Sequence, residues 1–446
     1  MDPVSLFLLT VAGIFLVGIL GEIVFDKTSV PDVVWLIAVG AALGPVTGLL
    51  ERPMLEGVAP FFGALTLVVV LFEGGSRLNL SELTTAAPRA TLLALLSFVS
   101  SVAVVAGVVS AGISMELLPS SWTMMHGVTL GAILGGSSSV VIMPAMSKAR
   151  LAPRISNLVN LESAITDVLC VVVTVACIEI MVSGSADPVA AGAAVGRSFG
   201  IGLGIGALVG LVSLLFLRML ERSEYAYPAL LGALLILYVV VGELGGSAAL
   251  AILAVAVLVG NARSIGSAFG LSDDAALGQG VRHVHTQLAF IIKSFFFTFI
   301  GAMLGPPLPM IAIGAVMAVL LLVIRVPVTR LATLGGHFSR GGRALVTITL
   351  PRGMAAGVLA MLPHHAGVPG TELFPVLAFS AVVVTILLFA AAFPMVKSKL
   401  SPDDLSPETE APPPQFPAPP MVVPAISEPA EPLTPAAERM PPSDRE

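Results

Sequence analysis

The chain has 446 residues, of which 56% are hydrophobic and only 11% are charged, with a formal net charge of −6. A soluble domain is normally about a quarter charged, and no soluble fold of this length could bury so much apolar surface. The composition therefore excludes a soluble protein and predicts a chain whose solvent is the lipid bilayer.

Apolar runs separated by polar, proline or glycine breaks predict an all-α membrane protein with about thirteen transmembrane helices. The eighth and ninth runs are short. The approximate spans are 5–23, 30–50, 57–74, 88–113, 122–147, 155–183, 190–217, 228–242, 246–261, 284–304, 308–330, 341–362 and 371–396.

The distribution of lysine and arginine gives an orientation for this topology. Fifteen of these residues fall in one set of alternate connections, whereas the other set holds only Arg52 and Arg197. Because positive charge concentrates in cytoplasmic loops, we expect a bacterial inner-membrane protein with its N-terminus outside and its C-terminus in the cytoplasm.

Two domains are predicted, a transmembrane domain over residues 1–396 and a tail over residues 397–446. From Pro402 onward the composition changes to Pro, Ala, Glu and Ser, which is typical of a disordered segment. The tail shows neither a glycine-rich nucleotide-binding pattern nor a cluster of metal ligands.

Glycines recur at four-residue spacing in the seventh span, as Gly196, Gly200, Gly204 and as Gly202, Gly206, Gly210. Such spacing lets helices approach closely. Packing within one subunit and contact between two subunits both fit the pattern.

Four ionisable residues fall near the middle of predicted spans, where charge is costly and usually functional. They are Glu162, Asp167, Lys293 and Arg352. Glu73 and Arg325 lie nearer the helix ends, where a charged head group can reach the membrane surface.

Asp167 is the main candidate for ion binding. It lies near the centre of its span, where we expect a carboxylate to hold a proton or a cation, the alternative being a buried hydrogen-bond partner between helices. Helical spacing places Ser163 on the face of Asp167, and Glu162 with Thr166 on another. Glu162 is therefore interpreted as the partner of a cation within the protein.

Two predicted helices are interrupted at their centres. One carries Pro351-Arg352-Gly353 and the other carries Gly135-Gly136-Ser137-Ser138-Ser139. They are seven spans apart and run in opposite directions, which is the signature of inverted repeats whose broken helices meet at a binding site. Free carbonyls and the hydroxyls of Ser137, Ser138 and Ser139 are candidate cation ligands, and Asp167, Lys293 and Arg352 would balance the partial charges of the helix ends.

Several motifs are similar to those of one known superfamily. Leu71-Phe72-Glu73-Gly74-Gly75, Glu162-Ser163-Ala164-Ile165-Thr166-Asp167, residues 295–301 and Pro351-Arg352-Gly353 occur in the order that this superfamily shows. The chain thus resembles the monovalent cation/proton antiporters, and in particular the sodium/proton exchangers.

This resemblance implies a homodimer in which a six-helix core moves against a dimerisation domain. Asp167 would carry the ion or the proton, with Ser163, Thr166 and the serines of the first break beside it. Glu162 would pair with Arg352. Thr166 stands where the family has Asn or Asp, and serines replace the family's Thr-Asp or similar pair in the break. Lys293 falls near a membrane lysine of the electrogenic branch.

The predicted function is therefore exchange of protons for a monovalent cation, Na⁺ or Li⁺ before K⁺, by alternating access. No resident cofactor, enzymatic activity, nucleotide or nucleic acid is expected. The alternative is a regulated K⁺ efflux or channel-like protein on the same scaffold. An intramembrane aspartyl protease would need a second deep aspartate, and the predicted spans offer only Asp167.

Overall fold

The computed structural model describes residues 2–28, 30–78, 88–184, 188–219, 225–262, 279–305, 307–336 and 338–405. These residues form a bundle of α-helices without any extended strand. The prediction of an all-α fold is confirmed. Most of the predicted tail lies outside the described residues.

The helices are numbered in chain order, with two helices interrupted as predicted. They are α1 (Pro3–Thr28), α2 (Asp32–Ala41, continued by a π-helical turn at Ala42–Val46), α3 (Arg52–Ser76), α4 (Pro88–Ser114), α5 (Met124–Ile133), α6 (Ser139–Lys148), α7 (Pro153–Ser183), α8 (Pro188–Met219), α9 (Ala226–Glu243), α10 (Ala248–Gly260), α11 (Gln279–Met303), α12 (Leu308–Ala332), α13 (Arg340–Ile348), α14 (Met354–Leu359), α15 (Leu362–His365) and α16 (Phe374–Lys397).

Within the described residues, nine helices are long and apolar enough to cross a membrane, and α2, α5 and α10 are shorter apolar helices. The total of thirteen crossings stays a prediction, because it counts these short helices and joins the two halves of each interrupted one.

The helices form two groups. In the first, α4 packs on α5, α7 and α12, and α16 packs on α12 and α13. In the second, α2 packs on α11, and α10 packs on α3 and α8. Helix α3 also contacts α7 and α14 of the first group, so it lies where the two groups meet.

Glycines bring backbones of the second group into direct contact. A Cβ atom on Gly301 would lie 2.2 Å from the carbonyl oxygen of Ile37, and one on Gly40 would lie 2.0 Å from that of Thr298. Real Cβ atoms do not approach so closely, so α2 and α11 cross only because neither position carries a side chain.

The two glycine rows of α8 have different surroundings. A Cβ atom on Gly202 would lie 2.5 Å from the carbonyl oxygen of Ser247, and one on Gly206 would lie 2.5 Å from that of Ala251. This row therefore packs on α10 within the subunit. The other row meets no described atom within 4 Å of its ideal Cβ positions, which are those of Gly196, Gly200 and Gly204.

The structured chain continues past the predicted boundary at residue 397, as a segment that we call the C-terminal clamp (residues 398–405). Asp404 is fully buried, and its carboxylate accepts hydrogen bonds from Ser339 Oγ, from Arg154 Nη2 at 3.2 Å and from Ser401 Oγ at 2.8 Å. Its carbonyl oxygen accepts the N–H of Ala152 at 2.8 Å. The clamp thus joins the beginnings of α7 and α13.

Replacement of Asp404 by asparagine is expected to destabilise the protein, because the amide nitrogen cannot accept the hydrogen bonds that one carboxylate oxygen accepts now. Hydrogen bonds to charged groups contribute about 1.5–3 kcal/mol. The apparent melting temperature of the full-length protein in detergent should fall by a few degrees. Asp403→Asn is the matched control, because the side chain of Asp403 is exposed, and it should melt like the wild type.

The pH dependence of this effect follows from the pKa of Asp404. Burial raises that pKa, but hydrogen bonds from Ser339 and Ser401 and the charge of Arg154 outweigh burial and hold it below 3.8. The stabilisation is therefore complete above the unfolded value and is lost only as pH falls through the lowered value. The difference in melting temperature between wild type and Asp404→Asn should therefore stay constant between about pH 5 and pH 8. A difference that becomes smaller within that range would contradict a lowered pKa for Asp404.

Candidate functional site

The first interrupted helix stops at Ile133 and restarts at Ser139, and helix α7 supplies partners for the backbone between them. Thr166 Oγ1 accepts the N–H of Ser137 at 3.3 Å, and Ser163 Oγ accepts the N–H of Ser139 at 2.9 Å. Ser163 Oγ also donates to the carbonyl oxygen of Ser137 at 2.7 Å. Because a helix end leaves such groups unpaired, these two hydroxyls hold the break in place.

This arrangement corrects the predicted helical faces. Ser163, Thr166, Asp167 and Cys170 all face the first break, at the i, i+3, i+4 and i+7 spacing of one helical stripe. The prediction that Thr166 lies on a different face from Ser163 and Asp167 is wrong. Ser163 and Thr166 are bonded to the backbone of the break, and neither lines the cavity described below.

The second interrupted helix stops at Ile348, restarts at Met354 and touches the first one. Ser138 donates its N–H to the carbonyl oxygen of Pro351 at 2.7 Å. A Cβ atom on Gly353 would lie 2.3 Å from Ser138 Oγ, so only glycine allows this approach. The prediction of two crossed, discontinuous helices is confirmed.

Arg352 fixes the crossing from inside. Its side chain is 1% exposed and donates to the carbonyl oxygen of Gly136, and to Ser101 Oγ at 3.1 Å. The backbone N–H of Arg352 donates a hydrogen bond to Thr385 Oγ1 at 3.1 Å. A permanent positive charge therefore lies at the end of α5, where the helix dipole is negative.

A cavity lies where the two breaks meet α3 and α7. Glu73, Gly74 and Arg77 line it from α3, Asp167 and Cys170 line it from α7, and residues 136–139 and 353–356 line it from the two breaks. The structure thus brings Asp167 together with Ser137, Ser138 and Ser139, as the sequence predicts.

The Asp167 carboxylate is flanked by glycines and has no bonded partner. Asp167 is the fifteenth of the 31 residues of α7. An ideal Cβ on Gly136 would lie 3.4 Å from its Oδ1, and one on Gly74 would lie 3.8 Å from its Oδ2. Across the described residues, no group donates a hydrogen bond to this carboxylate, so its oxygens remain available to a ligand in the cavity.

Glu162 faces away from the cavity and binds Arg325. The guanidinium donates to both carboxylate oxygens, at 2.6 Å and 2.7 Å. Its remaining N–H groups reach Ser97 Oγ at 3.2 Å, Thr349 Oγ1 at 3.2 Å and the carbonyl oxygen of Val346 at 3.3 Å. All five donors of the guanidinium are used, and one side chain ties together α4, α7, α12 and α13.

Two predictions about charge partners are therefore corrected. Glu162 pairs with Arg325 and not with Arg352, and Arg325 is 3% exposed and does not reach toward a membrane surface. Glu162 has a cationic partner within the protein, as the sequence predicts, but sequence spacing does not identify which arginine it is.

Lys293 lies elsewhere. Its Nζ is 2.6 Å from Asp32 Oδ2, and both side chains are 17% exposed. This ion pair joins α11 to α2 within the second helix group, and Lys293 does not line the cavity. Sequence reasoning missed Asp32 because it begins a span and reads as a loop residue.

Glu73 was predicted to lie near a helix end with its head group at the membrane surface, yet it lines the cavity together with Arg77. Arg77 Nη2 donates to Glu73 Oε1 across one helical turn. The signal that could have found them is the four-residue spacing of opposite charges directly after the Leu71-Phe72 pair.

Comparison with known proteins gives the family of this chain. The model of the family described as "Sodium/hydrogen exchanger, transmembrane" matches residues 11–397. The K(+)/H(+) antiporter NhaP of Alkalimonas amylolytica is 25% identical over 87% of this chain and 65% of its own length. The K(+)/H(+) antiporter NhaP2 of Shewanella sp. strain MR-4 is 26% identical over 91% of this chain and 69% of its own length. The chain thus spans about two thirds of these relatives.

Among solved structures, the sodium proton antiporter MjNhaP1 from Methanocaldococcus jannaschii superposes with a TM-score of 0.68 at 18% identity. The match covers 88% of this chain and 99% of that chain, and it shows that the two share a fold. With a family match over almost the whole described part, this chain belongs to the transmembrane sodium/hydrogen exchanger family.

Proposed function

We propose that this chain exchanges protons for a monovalent alkali cation across a bacterial inner membrane, with Asp167 as the shared site. The observation that carries the proposal is the Asp167 carboxylate, which lines the cavity at the crossing of the two breaks and has no partner among the described residues. Membership of the exchanger family supports the same reaction.

One carboxylate is sufficient for exchange. A proton and a cation cannot occupy the same oxygens together, so binding of one displaces the other. If only the occupied site crosses the membrane, each inward step of one ion is coupled to an outward step of the other.

The remaining residues of the site have separate roles. Ser137, Ser138 and Ser139 line the cavity with backbone and hydroxyl oxygens that suit a hard cation. Ser163 and Thr166 act as positioning residues through their bonds to the first break. Glu162 and Arg325 hold the helices behind Asp167, and Arg352 holds the crossing.

The choice of cation rests on the relatives. The two bacterial relatives described above align with most of this chain and are named K(+)/H(+) antiporters. An archaeal relative at 24% identity over 62% of this chain is named Na(+)/H(+) antiporter 1. K⁺ therefore joins Na⁺ as a proposed substrate. Assembly as a homodimer and an orientation with the C-terminus in the cytoplasm belong to the same proposal.

Neutralisation of Asp167 is expected to abolish exchange, because asparagine holds neither a proton nor a cation at this position. In proteoliposomes with an internal pH dye, wild-type protein should respond to Na⁺, K⁺ or Li⁺, and Asp167→Asn should match protein-free vesicles. Asp403→Asn is a control of the same chemistry outside the cavity, and it should retain the wild-type rate.

Wild-type exchange by Asp167→Asn would disprove the shared site. Cation uptake without any pH change would instead favour the channel-like alternative, which needs no proton at Asp167. Rubidium uptake measured in the same vesicles separates these two outcomes.

Replacement of Glu162 by glutamine tests whether this residue is structural. The substitution removes the carboxylate charge and leaves the buried guanidinium of Arg325 uncompensated, which destabilises the folded protein by about 3–5 kcal/mol. We expect a lower melting temperature and less folded protein. The protein that does fold should keep its apparent affinity for the cation, and a change in that affinity without destabilisation would place Glu162 in the ion site instead.

A further inference from the structure

Cys170 is a buried thiol in the cavity that cation exchange does not require. It is 2% exposed and lies one helical turn after Asp167 on the same stripe of α7. An ideal Cβ on Gly136 would lie 2.9 Å from Cys170 Sγ and 3.4 Å from Asp167 Oδ1. The sulfur and the carboxylate oxygen therefore flank the same glycine of the first break.

A second polar group points to a ligand at the same place. Ser137 is 1% exposed and lines the cavity, and its hydroxyl has no hydrogen-bond partner among the described residues. A buried hydroxyl without a partner is costly unless a bound species satisfies it. The cavity thus presents a thiol, a carboxylate and a free hydroxyl.

This donor set differs from what an alkali cation needs. Na⁺ and K⁺ gain little from sulfur, whereas soft d¹⁰ cations prefer thiolate ligands over oxygen. Ag⁺ carries the single positive charge of the alkali cations and is intermediate in size between Na⁺ and K⁺. It fits a site for a monovalent cation and gains a bond to sulfur there.

We propose that Cys170, with Asp167 and Ser137, forms an inhibitory site for a soft monovalent cation of the Ag⁺ class. This proposal depends on the proposed function in one respect: the site that silver would block is the site proposed for cation exchange. Binding replaces a proton: the S–H bond breaks, an S–Ag bond forms, one H⁺ leaves, and neither sulfur nor silver changes oxidation state. The thiolate then holds the metal beside Asp167, where it excludes the transported ion.

Cys177 provides a matched control on the same helix. It is also buried and is the other cysteine of the chain, but it does not line the cavity. Thr129 Oγ1 contacts Met181 Sδ at 3.5 Å, and Cys177 lies one turn before Met181. Cys177 with Met181 is therefore the competing soft site.

Silver binding can be measured without transport. Full-length protein in detergent is titrated with silver nitrate in chloride-free buffer, and heat and released protons are recorded. Cys177→Ser should bind one Ag⁺ per chain and release one H⁺, and Na⁺ or K⁺ should weaken this binding by competition. Cys170→Ser should bind at least tenfold more weakly, a difference of about 1.4 kcal/mol.

In proteoliposomes, Ag⁺ should block exchange by wild type and by Cys177→Ser, and dithiothreitol should reverse the block. Wild-type silver affinity in Cys170→Ser, or loss of the tight site in Cys177→Ser, would overturn the proposal. If Cys170→Ser does not fold, Cys177→Ser decides on its own. In a protein that exchanges alkali cations, silver binding that Na⁺ and K⁺ do not weaken contradicts the position of the silver site beside Asp167. Silver binding without any alkali exchange would defeat the proposed function and leave this site intact.

Discussion

A helix that stops inside an apolar layer leaves backbone N–H and C=O groups that water cannot reach, and this constraint shapes the whole site. At the first break, the hydroxyls of Ser163 and Thr166 satisfy the backbone from α7. The carbonyl of Pro351 satisfies it from the second break, and Arg352 bonds Gly136. Because two separate segments, α7 and the second break, bond the backbone of the four residues 136–139, the first break is fixed relative to Asp167.

The distribution of buried charge follows a second constraint, that an ionised group away from water needs an opposite charge or a full set of hydrogen bonds. Glu162 has Arg325, Glu73 has Arg77 and Asp32 has Lys293. Asp167 has no bonded cation among the described residues. The positive charges around it belong to Arg77, which lines the same cavity and bonds Glu73, and to Arg352, whose guanidinium donates its hydrogen bonds to a carbonyl and a hydroxyl. The site therefore lacks a direct counter-ion, which is the condition for binding a mobile one.

Much of this arrangement was predictable from the sequence. A lone aspartate at the centre of an apolar helix and two breaks rich in proline, glycine and serine are local signals, and the structure places them together. Charge partners are different, because they depend on how helices pack. Arg325 and Arg352 are both buried arginines of the same helix group, and only their side-chain directions decide which one Glu162 binds. Asp32 and Lys293 lie 261 positions apart, and no spacing rule connects them.

The roles of hydroxyl groups are also difficult to predict from sequence, even for residues close together on one helix. Helical spacing correctly placed Ser163 beside Asp167 on α7, but the identity of the facing group decides the role of a side chain. What faces Ser163 is the backbone of the first break, so its hydroxyl is occupied. When candidate ligands are chosen from one helix alone, the number of free oxygens at the site is overestimated. Here a second segment, the first break, already occupies the hydroxyls of Ser163 and Thr166.

The cavity is lined by residues of both helix groups, and each group is held together by its own contacts. Arg325 ties α7, which carries Asp167, to α4, α12 and α13, and the hydroxyls of Ser163 and Thr166 on α7 hold the first break. Helix α3, which carries Glu73 and Arg77, is instead locked to α10, since a Cβ on Gly260 would lie 2.3 Å from the carbonyl oxygen of Ser76. A displacement between the two helix groups would leave the Arg325 hydrogen bonds and the α3–α10 crossing unbroken. It would change the distance between Asp167 and residues 73–77 of α3, which is the kind of movement that the proposed alternating access requires.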